Sequence, residues 1–169
     1  MKRRACAAAI AAAGLLVTGC SWLRPKSTPA PFWEGRLAIK DPNVPDNNMS
    51  ANFELQGSAQ AGSLGLFTML GITLASMRWG DGFAELQTGG EVHTYDSADG
   101  MLRASLGQSI PLEAIFGWLS GNTQTVAGWE VDRSRYAQRR LRARKTADPA
   151  PQGGTLREGL ELLLVWDAP

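Results

Sequence analysis

From Phe32 onward, apolar and polar residues come in short runs separated by Gly, Asn, Asp or Pro, the punctuation of strands rather than of long helices. Trp33 to Lys40 (WEGRLAIK) predicts a strand, closed by the turn-rich DPNVPDNN. Ala51, Phe53 and Leu55 alternate with Asn52, Glu54 and Gln56, which predicts a half-buried strand with one wet face. Ser63 to Met69 and Ile72 to Trp79 follow as strands richer in apolar residues. Phe83 to Thr88 and Glu91 to Tyr95 make a hairpin around Gly89 and Gly90.

Then the period changes. Asp96 or Asp99 caps a short helix presenting Met101 and Leu102. Pro111 opens a second helix at its first position, with Leu112, Ile115, Phe116 and Leu119 at 3–4 spacing and Gly121 past the end. Strands resume at Trp129 to Val131, at about Arg139 to Lys145, and at Leu156 to Trp166. The last sets Leu156, Leu160, Leu162, Leu164 and Trp166 on one face and Leu163 and Val165 on the other. The pattern predicts a curved antiparallel sheet with a small helical element over one face. Such a sheet either packs a core or encloses a cavity, and on pattern alone the packed core is favoured.

The uncharged run FTMLGITLA, Phe67 to Ala75, holds a glycine near its middle. Pairing outward from Leu70-Gly71 sets Met69 opposite Ile72, Phe67 opposite Leu74 and Leu66 opposite Ala75. Leu-Gly suits the centre of a type II bend with Gly71 at positive φ, but that is not the preferred turn of a tight hairpin, so the loop is two residues or longer. In either case Leu70 points outward, and Met69, Leu70, Gly71 and Ile72 form an apolar tip.

The N-terminus decides where such a tip would act. Met1-Lys-Arg-Arg precedes an uncharged Ala/Leu-rich run ending in LLVTGC, the layout of a secretory signal peptide. Its 13 apolar residues would reach about 20 Å as a helix against a hydrocarbon core of roughly 30 Å, too short to span. Residues 1–19 are read as a removed signal and 20–31, with Pro25, Pro29 and Pro31, as an extended tether. Residues 32–169 form a single domain. The other cysteine, Cys6, leaves with the signal, so no intrachain disulfide is available. Three of the 17 basic residues also leave, giving 14 against 16 acidic and a net charge of about −2, which argues against nucleic acid as a partner.

No catalytic constellation emerges, and the chain is read as a non-enzyme. His93 is the sole histidine and has no cysteine or nucleophile motif to work with. Asp41, Asn43, Asp46, Asn47 and Asn48 are spaced loosely like calcium ligands, but two prolines intervene and no glutamate closes the loop, so turn chemistry accounts for them and no metal is expected. RSRYAQRRLRARK, Arg133 to Lys145, carries six arginines and a lysine with no acid. As a strand it aligns Arg140, Arg142 and Arg144, either as a solvated face or as a contact for anionic headgroups or an acidic partner.

These stretches together resemble the LolB family of outer-membrane lipoprotein insertases. LLVTGC resembles a lipobox, and WEGRLAIK, LFTMLGITLASM, GQSIPLEAIFGWLSG, GWEV and LELLLVW recur in the family's order. The resemblance implies a mainly β fold, an incomplete antiparallel barrel with a helical lid over an apolar cavity, and so overturns the packed-core preference. It implies acylation at Cys20, outer-membrane anchoring in the inner leaflet facing the periplasm, and a monomer without cofactors. The implied partners are the periplasmic carrier LolA, client lipoproteins whose acyl chains are the ligand, and outer-membrane phospholipid.

Residue by residue, Leu70 matches the leucine of the family's protruding loop, and Trp118, Trp129 and Trp166 match aromatic positions in or near the cavity. Phe53, Leu55, Leu66, Leu102, Ile115, Leu119, Leu162 and Leu164 complete the expected lining on pattern, each with a plain core position as its alternative. The chain departs from the family at Asn122 to Ala127, where relatives carry a longer segment, and over Arg133 to Thr155. A barrel-edge strand, a third lid helix and the cavity volume are left open by that departure. The competing function is a structural or assembly lipoprotein with a packed core and a basic protein-docking surface.

Overall fold

The computed structural model describes residues 30–106, 110–146 and 159–167. The signal segment, Cys20, the tether up to residue 29 and Leu156 lie outside the described residues. Within them run strands β1 (Phe32–Lys40), β2 (Met49–Gly57), β3 (Gly62–Phe67), β4 (Thr73–Gly80), β5 (Phe83–Thr88) and β6 (Glu91–Tyr95). Helices α1 (Ala98–Leu106) and α2 (Leu112–Leu119) follow, then β7 (Trp129–Asp132), β8 (Arg140–Lys145) and β9 (Glu161–Trp166).

All nine strands form one antiparallel sheet, in the order β6-β5-β4-β3-β2-β1-β9-β8-β7. Strands β1 to β6 make one meander and β7 to β9 a second. The two join where β9 pairs with β1, Leu37 opposite Leu164 and Ile39 opposite Leu162. Strands β6 and β7 each have a single strand partner, so the sheet does not close, and the segment joining these two free edges is the one that carries both helices. This is the curved antiparallel sheet with helices that the sequence pattern predicts, and the incomplete barrel that the family resemblance implies.

The alternation seen in the sequence becomes the two faces of the sheet. On the helix side Leu37, Ile39, Ala51, Phe53, Leu55, Leu66, Met77, Trp79, Leu141, Leu162 and Leu164 are all buried in one cluster. The opposite face carries polar and charged side chains, including an Arg78–Glu85 ion pair at 2.6 Å between β4 and β5. The β1–β9 junction depends on Gly35. A Cβ there would stand 2.1 Å from the Val165 carbonyl oxygen and 2.7 Å from the Trp166 Cα, so only a residue without a side chain permits the approach.

The helices differ from expectation in their caps. The Ser97 hydroxyl, not Asp96 or Asp99, accepts the Gly100 N–H at 3.1 Å. Asp99 instead lies in the first turn of α1, where its charge favours the positive end of the helix. Pro111 stands at the N-cap of α2 with ψ 119, not at its first helical position; its carbonyl accepts the N–H groups of Ala114 and Ile115, and its missing N–H costs nothing there. At the other end Gly121 (φ 82) does close the helix. Its N–H donates to Trp118 and the Asn122 N–H to Gly117, the paired bonds of a Schellman cap.

Candidate functional site

The most exposed apolar feature is the β3–β4 tip. The Thr68 N–H donates to the Ile72 carbonyl at 2.8 Å and the Gly71 N–H to the Thr68 carbonyl at 3.0 Å, which leaves Met69, Leu70 and Gly71 as a three-residue loop. The Thr68 hydroxyl stiffens it further, accepting the N–H groups of Leu70 and Ile72 at 3.3 and 3.1 Å. Gly71 takes φ 79, as expected, but as the third loop residue and not at the centre of a two-residue bend, because a three-residue loop ending in a left-handed glycine suits the twist of the flanking strands. Thr68, not Met69, therefore faces Ile72. The register also shifts after Leu66, so that Leu66 keeps Ala75 as expected while Phe67 pairs with Thr73 in place of Leu74. Leu70 is 88% exposed, Met69 67% and Ile72 63%.

The expected cavity-lining residues come together on the helix side of the sheet. Phe53, Leu55, Leu66, Leu102, Trp118, Leu119, Trp129, Leu162, Leu164 and Trp166 are all buried in the single apolar cluster, with Ile115 half-buried against it. None of the ten exceeds 7% exposure, so at these positions the side chains pack against one another and against the helices, while Trp33, Leu64 and Ile115 at the cluster's margin are half-buried. Sequence reasoning left out Leu37, Ile39, Trp79, Met101, Phe116 and Leu160, which belong to the same cluster. The alternation Leu37-Ile39 on β1 and the position of Phe116 in the helical pattern were the signals for two of the elements.

Helix α2 is seated by aromatic contacts. Phe116 lies edge-on to Trp33 of β1 at 5.7 Å and to Trp79 of β4 at 6.3 Å, and Trp118 lies edge-on to Trp129 of β7 at 5.5 Å. Its C-terminal end is held by Tyr136, whose hydroxyl donates to the Leu119 carbonyl at 3.0 Å while its ring packs on Trp166. Trp118 of α2 and Trp79 of β4, both buried, differ in their polar atoms. The Trp79 indole N–H donates to the Ser58 carbonyl at 2.9 Å, whereas the Trp118 N–H is buried with no hydrogen-bond partner among the described residues.

The remaining candidates resolve simply. His93 is exposed on β6, its Nε2 3.5 Å from Glu91. Asp41 is buried and closes the loop after β1, its Oδ1 accepting the backbone N–H groups of Asn43 and Val44, which is turn chemistry. No group of three His, Cys, Asp or Glu side chains among the described residues could hold a metal, and no described helix is long and apolar enough to cross a membrane. The arginines of β8 do share the exposed face. Arg142 and Arg144 both reach Glu161 of β9, at 3.8 and 3.2 Å. The Asp132 carboxyl beside them is held below its usual range, chiefly by the Ser134 backbone N–H, then by the Ser134 hydroxyl, with Arg142 and Arg135 adding to the effect.

A family model described as outer membrane lipoprotein LolB matches residues 32–151, from the first residue of β1 past the end of β8. The chain belongs to the LolB family. Among its relatives, the outer-membrane lipoprotein LolB of Shewanella woodyi is 36% identical over 94 residues, covering 54% of this chain and 43% of the relative. LolB of Shewanella baltica strain OS155 is 33% identical over 129 residues, 67% of this chain and 59% of the relative. LolB of strain OS223 is 31% identical over 150 residues, 69% of each. The chain thus spans from under half to about two thirds of the length of these LolB proteins. Strand β9 lies beyond the matched residues and pairs with β1 in the same sheet.

Proposed function

We propose that this protein receives acylated lipoproteins from a periplasmic carrier of the LolA type and delivers them to the inner leaflet of the outer membrane, anchored there through acylated Cys20 and facing the periplasm. The observation that carries the reading is the combination, in one LolB-family chain, of a helix-covered apolar face with an exposed apolar loop, Leu70 at its tip. Three acyl chains of about 16 carbons, at roughly 0.8 kcal/mol per methylene, would cost tens of kcal/mol to expose to water, so a client needs a sheltering apolar surface throughout. Phe53, Leu55, Leu66, Leu102, Ile115, Trp118, Leu119, Trp129, Leu162, Leu164 and Trp166 supply it. Because these side chains are buried against one another, an acyl chain enters as they separate beneath α1 and α2. The bilayer is a better solvent for the chains than the protein is, so release needs no cofactor, nucleotide or catalytic step.

The burial of these residues also accommodates the second reading, a structural lipoprotein with a permanently packed core. A fluorescent acyl probe separates the two. A soluble chain of residues 21–169 holds every described strand and helix in one sheet with one core. Saturable micromolar binding by it, followed by transfer of a client from the carrier to vesicles, is the expected result. Absence of probe binding would overturn the insertase reading and leave the packed core.

A further inference from the structure

We propose that the outer face of β1, β9 and β8 is a docking surface for anionic phospholipid headgroups, contiguous with the apolar tip. The inference extends the insertase reading, which places this chain at a bilayer. Register brings the surface together from strands far apart in sequence: Arg36, Val165 and Arg140 lie side by side across β1, β9 and β8, and Ala38, Leu163 and Arg142 lie side by side in the next row. Neighbouring strands are about 4.8 Å apart and successive outward side chains about 6.7 Å apart, so Arg36, Arg140 and Arg142 frame an area that one or two phosphates can bridge.

An exposed charged face is what an antiparallel sheet ordinarily turns to water, and four observations separate this one from that ordinary case. First, the row between the arginines is apolar: Val165 is 39% exposed and Leu163 half-buried. Second, the guanidinium groups of Arg135 and Arg140 make no hydrogen bond or ion pair among the described residues, while Arg142 and Arg144 share Glu161. Third, Arg36, Arg135, Arg140 and Arg142 line a groove of about 480 Å³ with Leu163 and Val165 in its wall. Fourth, Arg36 and Arg140 also border the adjacent groove of about 670 Å³, which reaches Gly71 of the tip. The Arg36 guanidinium donates to the Met69 sulfur at 2.9 Å, joining the basic surface to the apolar loop directly.

Guanidinium groups present a planar fork that matches phosphate oxygens, and here they surround an apolar strip. A lipid headgroup joins those same two elements, a phosphate and the start of a hydrocarbon chain. An acidic protein would satisfy the arginines but leave Met69, Leu70 and Ile72 bare beside it. Acidic side chains bound the surface: Glu34, Glu54 and Asp167 line the larger groove together with Arg36 and Arg140, and Asp132 lies beside Arg142 and Arg135, which limits the attraction to the Arg36–Arg140–Arg142 area.

Each basic side chain close to an anionic surface contributes about fivefold to binding. Arg140→Gln with Arg142→Gln, both on exposed positions, therefore lowers partition of the 21–169 chain onto phosphatidylglycerol-containing vesicles by roughly 25-fold, with no change on phosphatidylcholine vesicles. The wild-type preference for the anionic vesicles fades with added salt, and Arg103→Gln on α1 leaves it intact. Equal binding of wild type and double variant to anionic vesicles would overturn the proposal. So would an equal loss on both vesicle types, or a loss confined to binding of the carrier, which would mark an acidic-protein surface instead. Acyl-probe uptake by the same proteins keeps the two readings apart: the double variant retains uptake, and a wild type without uptake removes the insertase reading while leaving the vesicle result to stand.

Discussion

Leu70→Glu tests the apolar tip. Leu70 is 88% exposed and its side chain makes none of the loop's hydrogen bonds, so the substitution removes little packing and leaves those bonds in place. The melting free energy should stay within about 0.5 kcal/mol of wild type. Burying a fully exposed leucine is worth about 1.5–3 kcal/mol, and scaling by the exposed fraction leaves roughly 1.3–2.6 kcal/mol available when the tip enters a leaflet. Losing that term slows delivery by roughly 10- to 80-fold at about 1.4 kcal/mol per decade. A carboxylate resists entry further, so these factors are lower bounds. The assay follows a labelled acylated client from the complex with the protein into vesicles, with acyl-probe affinity and thermal melting as controls. Delivery by Leu70→Glu at the wild-type rate, with folding and probe affinity unchanged, would refute the role given to the tip.

Three further outcomes follow from the geometry. Gly35→Ala drives a Cβ into the Val165 carbonyl at the β1–β9 junction and should cost about 1–3 kcal/mol or more in urea unfolding; a neutral variant would mean the two strands separate freely. Trp118→Phe removes a buried N–H that has no acceptor among the described residues, so its stability should fall by no more than about 1 kcal/mol despite the smaller ring, whereas a loss above about 2 kcal/mol would count against an unbonded N–H. Tyr136→Phe deletes the bond to the Leu119 carbonyl and should cost about 0.5–1.5 kcal/mol, with faster hydrogen exchange at the C-terminal end of α2 as its signature; unchanged exchange there would refute the anchoring role.

Much of this protein was legible along the chain because the signals are local. Alternation at Ala51, Phe53 and Leu55 sorts side chains between two faces wherever the strand ends up, and Arg140, Arg142 and Arg144 fall on one face for the same reason. Gly71 and Gly121 mark positions of positive φ that few other residues adopt. The misreadings arose where neighbouring positions offer nearly equivalent local solutions: Ser97 against Asp96 or Asp99 as cap, and Pro111 at the N-cap in place of the first helical position. Tertiary structure decided what no local signal could. The pairing of β9 with β1 joins residues more than a hundred positions apart, and it alone brings Arg36 into line with Arg140 and the helix connection across the two free edges. That choice rests on the summed burial of both strands' apolar faces and on the side-chain-free approach at Gly35, quantities that exist only once the sheet has formed.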